Sequence, residues 1–131
     1  MGYLKHAHQS FEIDQPGKDS YRMRRTGVLQ TIVAGGGHVA VIDDADAETG
    51  LDLVIARYAR ADLDLLVVEG FKRSPLPKIE VARAAISREL LCSGDPDLIA
   101  VVSDFGSPAG VPHFAFGDAA GVAALVASRV R

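Results

Sequence analysis

Two short runs of consecutive apolar residues, each followed at once by polar residues that include an acid, constrain this chain more than any other feature. The first run covers residues 65–68 and stops at Glu69 and Gly70, and the second covers residues 98–102 and stops at Ser103 and Asp104. A run of four or five apolar residues without polar alternation is typical of a parallel strand that is buried on both faces. The sequence therefore predicts an α/β domain whose central strands are parallel.

The segments around these runs alternate between helical and extended patterns. Three glycines, residues 35–37, separate two β-branched segments, and this arrangement predicts an antiparallel hairpin. Because 131 residues suffice for one core and not for two, we expect a single domain over residues 1–131. The predicted helices span about residues 20–25 with Asp19 or Ser20 as cap, 48–60, 87–91 and the segment capped by Asp118, and the further strands span residues 3–6, 31–34, 38–42 and 78–83.

Composition excludes several classes of function. A single cysteine, Cys92, cannot form an internal disulfide or a zinc site built from cysteines, which fits a reducing, cytoplasmic setting. The net charge of −3 argues against non-specific binding of nucleic acid, which needs an excess of Lys and Arg. No apolar run approaches the roughly 20 residues that span a bilayer, so we expect no contact with membranes.

The polar residues that end the two apolar runs are the first candidates for a site, because open parallel sheets bind ligands at the carboxyl ends of their strands. Glu69 followed by Gly70 resembles a Walker B strand, in which the acid holds Mg²⁺ and the glycine lets a backbone N–H approach a phosphate. Asp104 could accept hydrogen bonds from the N1–H and amino group of guanine. The alternatives are a strand followed by a glycine turn for Glu69 and a simple cap for Asp104.

Other candidates lie in loops. Asp14, Lys18 and Asp19 flank a Pro-Gly turn and either cover phosphates and metal or serve as turn and cap residues. His6 and His8 are two residues apart and would share one face of a strand, but no third metal ligand is evident, so they could instead fix the neighbouring loop.

A basic pair follows the Glu-Gly turn. Lys72 and Arg73 could meet an anionic ligand, such as a pterin phosphate or a nucleotide, or could form a solvated basic loop.

In this order and spacing, several blocks resemble the molybdopterin-guanine dinucleotide biosynthesis protein B family. The most specific blocks are Pro-Gly-Lys-Asp-Ser-Tyr at residues 16–21 and Val-Glu-Gly-Phe-Lys at residues 68–72. The similarity extends from about residue 4 to the C-terminal helix. It also includes residues 4–8, 30–34, 77–81 and 99–104.

The resemblance implies a fold, a ligand and partners. The fold would be a three-layer α/β domain of P-loop NTPase type with a mostly parallel sheet, and the ligands would be GTP and Mg²⁺. The implied protein forms a homodimer and assists the guanylyltransferase that converts molybdopterin into its guanine dinucleotide, with weak GTP hydrolysis at most. In that picture Glu69 binds the metal; the nucleotide site also includes Gly70, Asp104, Asp14, Lys18 and Asp19; and His6, His8, Lys72 and Arg73 contact the pterin, a phosphate or a partner.

The sequence departs from the family at one decisive point. It contains no G-x-x-x-x-G-K-[ST] loop, so the expected N-terminal unit of strand, phosphate loop and helix is missing. Without that loop we expect phosphate affinity to fall on the order of 10³-fold and the protein to be inactive as a GTPase in this form. The missing strand would leave open strand edges and an apolar face.

Three explanations for the missing loop are open: a misassigned start, a fragment, or a natural short paralogue. Met1 directly before the matching strand favours the first. Two alternative functions are also open. One is an interaction module without nucleotide, which docks the guanylyltransferase or a molybdoenzyme. The other is a metal-assisted hydrolase that uses His6, His8, Asp14 and Glu69.

Overall fold

The computed structural model describes residues 1–7, 9–45, 49–107 and 110–130, and it divides the chain into two compact units. The first unit combines residues 1–5 with residues 60–131, and the second consists of residues 6–59. The elements in chain order are β1 (Gly2–Lys5), α1 (Asp19–Arg24), β2 (Gln30–Gly35), β3 (His38–Asp43), α2 (Leu51–Tyr58), β4 (Leu66–Glu69), β5 (Lys78–Ala82), β6 (Leu98–Ser103), β7 (His113–Phe114) and α3 (Ala119–Ala127).

All strand pairs of the first unit are parallel. β1 pairs with β4 in a two-stranded sheet, with Gly2 opposite Leu66 and Lys5 opposite Glu69. β5, β6 and β7 form a three-stranded sheet with β6 in the centre. The predicted α/β class with parallel sheets is therefore confirmed.

The best-buried strand is β6. Its side chains at Leu98, Ala100, Val101 and Ser103 are buried, and Val101 is 0% exposed. Neighbours on both edges and apolar residues on both faces remove this strand from water, as the continuous apolar run predicts.

The other apolar run behaves differently, and its predicted burial on both faces is wrong. β4 alternates between half-buried and exposed positions, and Val67 is 42% exposed. Among the described residues, β4 pairs with β1 alone, so its sequence has the character of a central strand while its position is at a sheet edge.

The second unit is built around the β2–β3 hairpin, which confirms the predicted antiparallel pair. Its turn is Gly36-Gly37, and both glycines have positive φ (58° and 81°), as hairpin turns that match strand twist require. Apolar side chains nevertheless remain in water, with Ile32 60% and Val39 67% exposed. A two-stranded ribbon cannot bury both of its faces by itself.

The helices follow the predicted pattern with two corrections. The Asp118 side chain accepts the Gly121 N–H at 2.9 Å and begins α3, which confirms the predicted cap. The N-cap of α1 is instead Lys18, without a side-chain cap bond, so the predicted capping by Asp19 or Ser20 is wrong.

The predicted helix over residues 87–91 is also absent from the structure. The Glu80 carboxylate accepts the backbone N–H groups of Leu91 (2.6 Å) and Cys92 (2.9 Å) and so holds this segment as a loop. No helix in the part of the chain that the structure describes is long and apolar enough to cross a membrane.

Candidate functional site

The carboxylate of Glu69 lies at the C-terminal end of β4 and has two partners from β1. The Lys5 ammonium is 2.8 Å from one carboxylate oxygen, and the Tyr3 hydroxyl donates to the other. The parallel register places Lys5 directly opposite Glu69, and Tyr3 lies two residues earlier on the same face. Both Lys5 and Glu69 are about half exposed, so the cluster is open to water.

These contacts shift the proton equilibria of all three groups. Hydrogen bonds from the Lys5 ammonium and then from the Tyr3 hydroxyl lower the pKa of Glu69. The same carboxylate raises the pKa of Lys5 and the pKa of Tyr3. The group at the end of β4 is therefore a carboxylate already neutralised by an ammonium.

The turn after β4 has an unusual backbone. Gly70 has φ 90° and Phe71 has φ 49°, so a bulky residue occupies the left-handed region that normally favours glycine. Strain of this kind is concentrated at functional sites, where the surrounding structure maintains it. Lys72 and Arg73 follow this turn and are both exposed, so their charges face solvent beside the end of β4.

Asp104 follows the C-terminal end of β6. One of its carboxylate oxygens accepts the backbone N–H of Ala84 at 2.7 Å, which ties this residue to the segment after β5. This contact is the turn-fixing role that the sequence left open as the alternative to binding guanine.

The last residue of β6 carries a buried polar contact that the sequence did not indicate. The Ser103 side chain is 1% exposed, and its hydroxyl donates to the carbonyl of Phe105 at 3.1 Å. Because the hydroxyl has only this one proton, it accepts a hydrogen bond from His113 Nε2, which lies 2.9 Å away on β7. His113 thus has a structural role, which a lone histidine in the sequence could not reveal.

In the second unit, Asp14 organises the Pro-Gly loop. Its Oδ1 accepts from the Gln15 backbone N–H (2.9 Å) and from the Ser20 hydroxyl (3.0 Å). Its Oδ2 is buried, without a hydrogen-bond partner among the described residues. A buried carboxylate oxygen without a partner is costly, so this atom has unused capacity to accept a hydrogen bond.

The remaining loop candidates have less structure around them. The turn at Gly17 (φ 89°) is confirmed by a hydrogen bond from the Lys18 N–H to the Gln15 carbonyl. Lys18 and Asp19 are exposed at the start of α1. His6 belongs to the second unit, and His8 lies outside the described residues, so their predicted shared face stays a prediction.

The candidates therefore fall into two sets. Glu69, Gly70, Lys72, Arg73 and Asp104 belong to the first unit, and Asp14, Lys18 and Asp19 belong to the second. Within the first unit, the structure adds Tyr3 and Lys5. Both residues could have been identified if the register of β1 against β4 had been known, because side chains two apart on β1 lie on the same face.

A second polar cluster was also missed. In the second unit, Asp43 at the end of β3 accepts from Arg57 (2.9 Å), Tyr58 and Gln30 (3.2 Å). The pKa of Asp43 is lowered, mainly by the hydrogen bond from the Tyr58 hydroxyl. This cluster joins α2 to the hairpin and needs no ligand to explain it.

An apolar groove of about 720 Å³ lies within the first unit. It runs between the β4 region, β6 and α3, and the residues that line it include Leu65, Val67, Val102, Val122 and Val126.

The donor set at Glu69 fits only one kind of magnesium site. Within residues 1–7, 9–45, 49–107 and 110–130, no group of three or more His, Cys, Asp or Glu side chains could hold a metal ion. Mg²⁺, however, commonly takes one or two carboxylates and completes its shell with water and ligand phosphates. Glu69, which already attracts the Lys5 ammonium at an exposed strand end, could supply one such carboxylate.

Comparison with known proteins identifies the family. The model of the molybdopterin guanine dinucleotide synthesis protein B family matches residues 1–104. The chain belongs to this family. The resemblance carried by the Pro-Gly-Lys-Asp and Val-Glu-Gly-Phe-Lys blocks is thus confirmed.

Two relatives from bacteria illustrate the similarity. The molybdopterin-guanine dinucleotide biosynthesis adapter protein of Escherichia coli (strain K12) is 37% identical over 130 residues, which cover 95% of this chain and 73% of the relative. The protein of the same name from Haemophilus influenzae is 36% identical over 90 residues, which cover 69% of this chain and 51% of the relative. The chain thus spans about three quarters of the first relative and about half of the second.

A solved structure confirms the fold. The crystal structure of Bacillus subtilis MobB superposes with a TM-score of 0.68 at 26% identity, over 99% of this chain and 79% of that chain. The α/β architecture with parallel sheets and one antiparallel pair is therefore the architecture of this family.

Proposed function

We propose that this protein is a GTP-binding adapter in molybdenum cofactor assembly, where it assists the guanylyltransferase that converts molybdopterin into molybdopterin guanine dinucleotide. The observation that carries the proposal is membership of the family, together with a 37% identical relative named as an adapter for this biosynthesis. In this role its partners are the guanylyltransferase and, through that enzyme, molybdopterin or its guanine dinucleotide.

The proposed nucleotide site uses the carboxyl end of β4. Glu69 holds Mg²⁺ through one carboxylate, and the left-handed turn at Gly70 and Phe71 exposes backbone N–H groups to a phosphate. Lys72 and Arg73, both exposed after that turn, add positive charge for an anionic ligand. Bound Mg²⁺ would neutralise the phosphates, and the residues of the chain would position them.

Further proposed roles belong to Asp104 and to the residues of the Pro-Gly loop. Asp104 accepts one backbone N–H through Oδ1, which fixes its position and leaves further acceptor capacity for the guanine edge. The partnerless Oδ2 of Asp14 is a candidate ligand for a metal-bound water, with Lys18 and Asp19 at the same turn. These loop residues belong to the second unit, and the Pro-Gly-Lys-Asp sequence block supports their proposed role.

The test is a nuclear magnetic resonance titration of the full 131-residue chain with GTP and Mg²⁺. Because no G-x-x-x-x-G-K-[ST] loop is present, we expect affinity on the order of 10³-fold below that of a protein with that loop. The shifts should centre on residues near Glu69 and Asp104. Glu69→Gln should abolish the Mg²⁺ dependence, and Asp104→Asn should remove the preference for GTP over ATP. Binding that ignores both substitutions, or no binding at all, would rule out the nucleotide site.

A second candidate function is an interaction module that binds no nucleotide and docks the guanylyltransferase or a molybdoenzyme. Two observations favour it: the apolar groove beside β4 and α3, and the contacts that already occupy Glu69 and Asp104. Its test is a pull-down of purified guanylyltransferase by the 131-residue chain, with and without GTP. Nucleotide-independent capture that Glu69→Gln leaves intact supports the module, whereas capture that requires GTP supports the first proposal.

The homodimer implied by the family is also a proposal, and the exposed hairpin supports it. Ile32 and Val39 are both more than half exposed on a ribbon that cannot cover them itself. Sedimentation equilibrium should find a dimer that Ile32→Glu dissociates, while the conservative Ile32→Val leaves it intact. A monomer in the unsubstituted chain would refute this proposal.

A further inference from the structure

We propose that Lys5 binds phosphate at the C-terminal end of β4. Its ammonium pairs with Glu69 in the absence of ligand and is released when a divalent cation binds that carboxylate. This inference deepens the proposed nucleotide site and rests on it. It adds to the site a residue that sequence similarity alone did not assign a role, and it makes the binding of metal and of phosphate mutually dependent.

The geometry of the β1–β4 pair is the first step. The parallel register sets Lys5 opposite Glu69, and the ammonium nitrogen lies 2.8 Å from Oε1. The Tyr3 hydroxyl donates to Oε2, so both carboxylate oxygens of Glu69 are already engaged. A divalent cation that binds this carboxylate must therefore compete with the Lys5 ammonium for one oxygen and with the Tyr3 hydroxyl for the other.

Charge repulsion is the second step. A divalent ion and an ammonium on one carboxylate repel each other more strongly than either repels the neutral Tyr3 hydroxyl. Lys5 is the group that yields, because its side chain is 57% exposed and exposed ion pairs are held only weakly. Its flexible stem lets the ammonium leave Glu69 without moving β1.

The third step concerns where the released ammonium can go. Lys5 is the last residue of β1, at the same sheet end as Glu69 and the turn of Gly70 and Phe71. A phosphate oxygen bound to the metal is the nearest strong acceptor that such an ammonium would meet. The ligand class that satisfies both groups together is a metal-complexed diphosphate or triphosphate, and a metal ion alone or an anion alone satisfies only one of them.

The experiment measures Mn²⁺ binding to the full chain by water-proton relaxation, with inorganic pyrophosphate as the phosphate probe. Without pyrophosphate, Lys5→Met should bind Mn²⁺ about two- to five-fold more tightly than the unsubstituted chain, because the competing ammonium is gone. Tyr3→Phe should have a smaller effect in the same direction. Glu69→Gln should remove the site.

Arg60→Met is the matched control. It removes one positive charge from another exposed ion pair of the same unit, Arg60 with Asp62, and should leave Mn²⁺ affinity close to that of the unsubstituted chain. If Arg60→Met tightens Mn²⁺ binding as much as Lys5→Met does, the effect is one of net charge and the proposal fails.

Pyrophosphate supplies the second arm. It should tighten Mn²⁺ binding about five-fold or more in the unsubstituted chain and clearly less in Lys5→Met, because that variant has no ammonium to bind the phosphate. Equal enhancement in both proteins overturns the role of Lys5, as does Mn²⁺ binding that Lys5→Met leaves unchanged. Circular dichroism checks that Lys5→Met and Tyr3→Phe are folded. If Lys5→Met does not fold, Lys5→Gln replaces it in both arms with the same expected results.

The outcomes separate this inference from the proposed function. If guanine nucleotides fail to bind while pyrophosphate and Mn²⁺ remain coupled through Lys5, the GTP proposal falls and this inference stands. If GTP binds with Mg²⁺ but Lys5→Met alters neither arm, the GTP proposal stands and Lys5 has no part in it.

Discussion

Strands β4 and β6 are both rich in apolar residues, but their surroundings differ. Each is a run of apolar residues that ends in an acid or just before one. In the described part of the chain, however, β6 lies between two neighbours and buries Val101 completely, whereas β4 pairs only with β1 and leaves Val67 42% exposed. An apolar run therefore indicates that a strand can be buried. The number of neighbouring strands determines how much of its side-chain surface is actually buried.

The acids at the two ends differ in the same way. Asp104 accepts a backbone N–H and fixes a turn, while Glu69 accepts from two exposed side chains, Lys5 and Tyr3. A carboxylate bound to the backbone is part of the framework. A carboxylate held by a lysine and a tyrosine can exchange its partners, and for this reason β4 rather than β6 carries the proposed metal site.

The largest expected effect is on the free energy of unfolding when one valine side chain of each strand is shortened to alanine. Val101→Ala should lower the free energy of unfolding by about 2–3 kcal/mol, because it leaves a cavity in a fully buried position. Val67→Ala should cost less than about 1 kcal/mol, because half of that side chain is already in water. Urea unfolding followed by circular dichroism measures both values, and equal losses would show that β4 is buried in solution.

The next effect concerns the polar end of β6. Ser103→Ala should lower the free energy of unfolding by about 1–2 kcal/mol, because it leaves the Phe105 carbonyl and His113 without their buried partner. Ser128→Ala is the control, since that hydroxyl bonds a carbonyl at the exposed end of α3 and its loss should cost less. A Ser103 variant as stable as the Ser128 variant would contradict the buried bond.

A smaller, local effect is expected at Asp104. Asp104→Ala removes the acceptor of the Ala84 N–H, so hydrogen exchange at that amide should accelerate about fivefold, the equivalent of about 1 kcal/mol. Asp104→Asn keeps one side-chain oxygen and should protect the amide nearly as well. Unchanged exchange in the alanine variant would mean that the backbone alone holds the turn.

The smallest effect is the pH dependence contributed by Glu69. Because its folded pKa is lowered by the Lys5 ammonium and the Tyr3 hydroxyl, the associated stability is present above the ordinary glutamate pKa of about 4.3 and is lost as the pH falls through the lowered value. Glu69→Gln should flatten this part of a pH series of unfolding midpoints, and added salt should flatten it in the unsubstituted chain. A series that is identical with and without Glu69 would show that the pair does not form in solution.

Much of the fold could be predicted because its signals are local. The glycine turn of the hairpin, the Asp118 cap and the parallel strands all follow from residues within a few positions of each other. The predicted helix over residues 87–91 failed because a distant carboxylate, Glu80, captures its backbone N–H groups. A contact over such a separation is not visible in a local pattern.

Glu69, Gly70 and Asp104 could be proposed from the sequence because they follow apolar strands within blocks that resemble the family. Their role in a site stays a prediction. Tyr3 and Lys5 were missed because only the β1–β4 register places them against Glu69. Ser103 with His113 was missed for the same reason, since β6 and β7 meet only in the folded sheet.

The class of fold, the family and most strands and helices could be predicted from the sequence, because side-chain periodicity and turn chemistry act over short distances along the chain. Which apolar run lies at the buried centre of a sheet and which lies at an edge depends on the folded arrangement of the strands. That arrangement also paired Asp104 with a backbone N–H and Glu69 with the Lys5 and Tyr3 side chains. Burial and ion pairing depend on neighbours from distant segments, and the register of strands selects those neighbours.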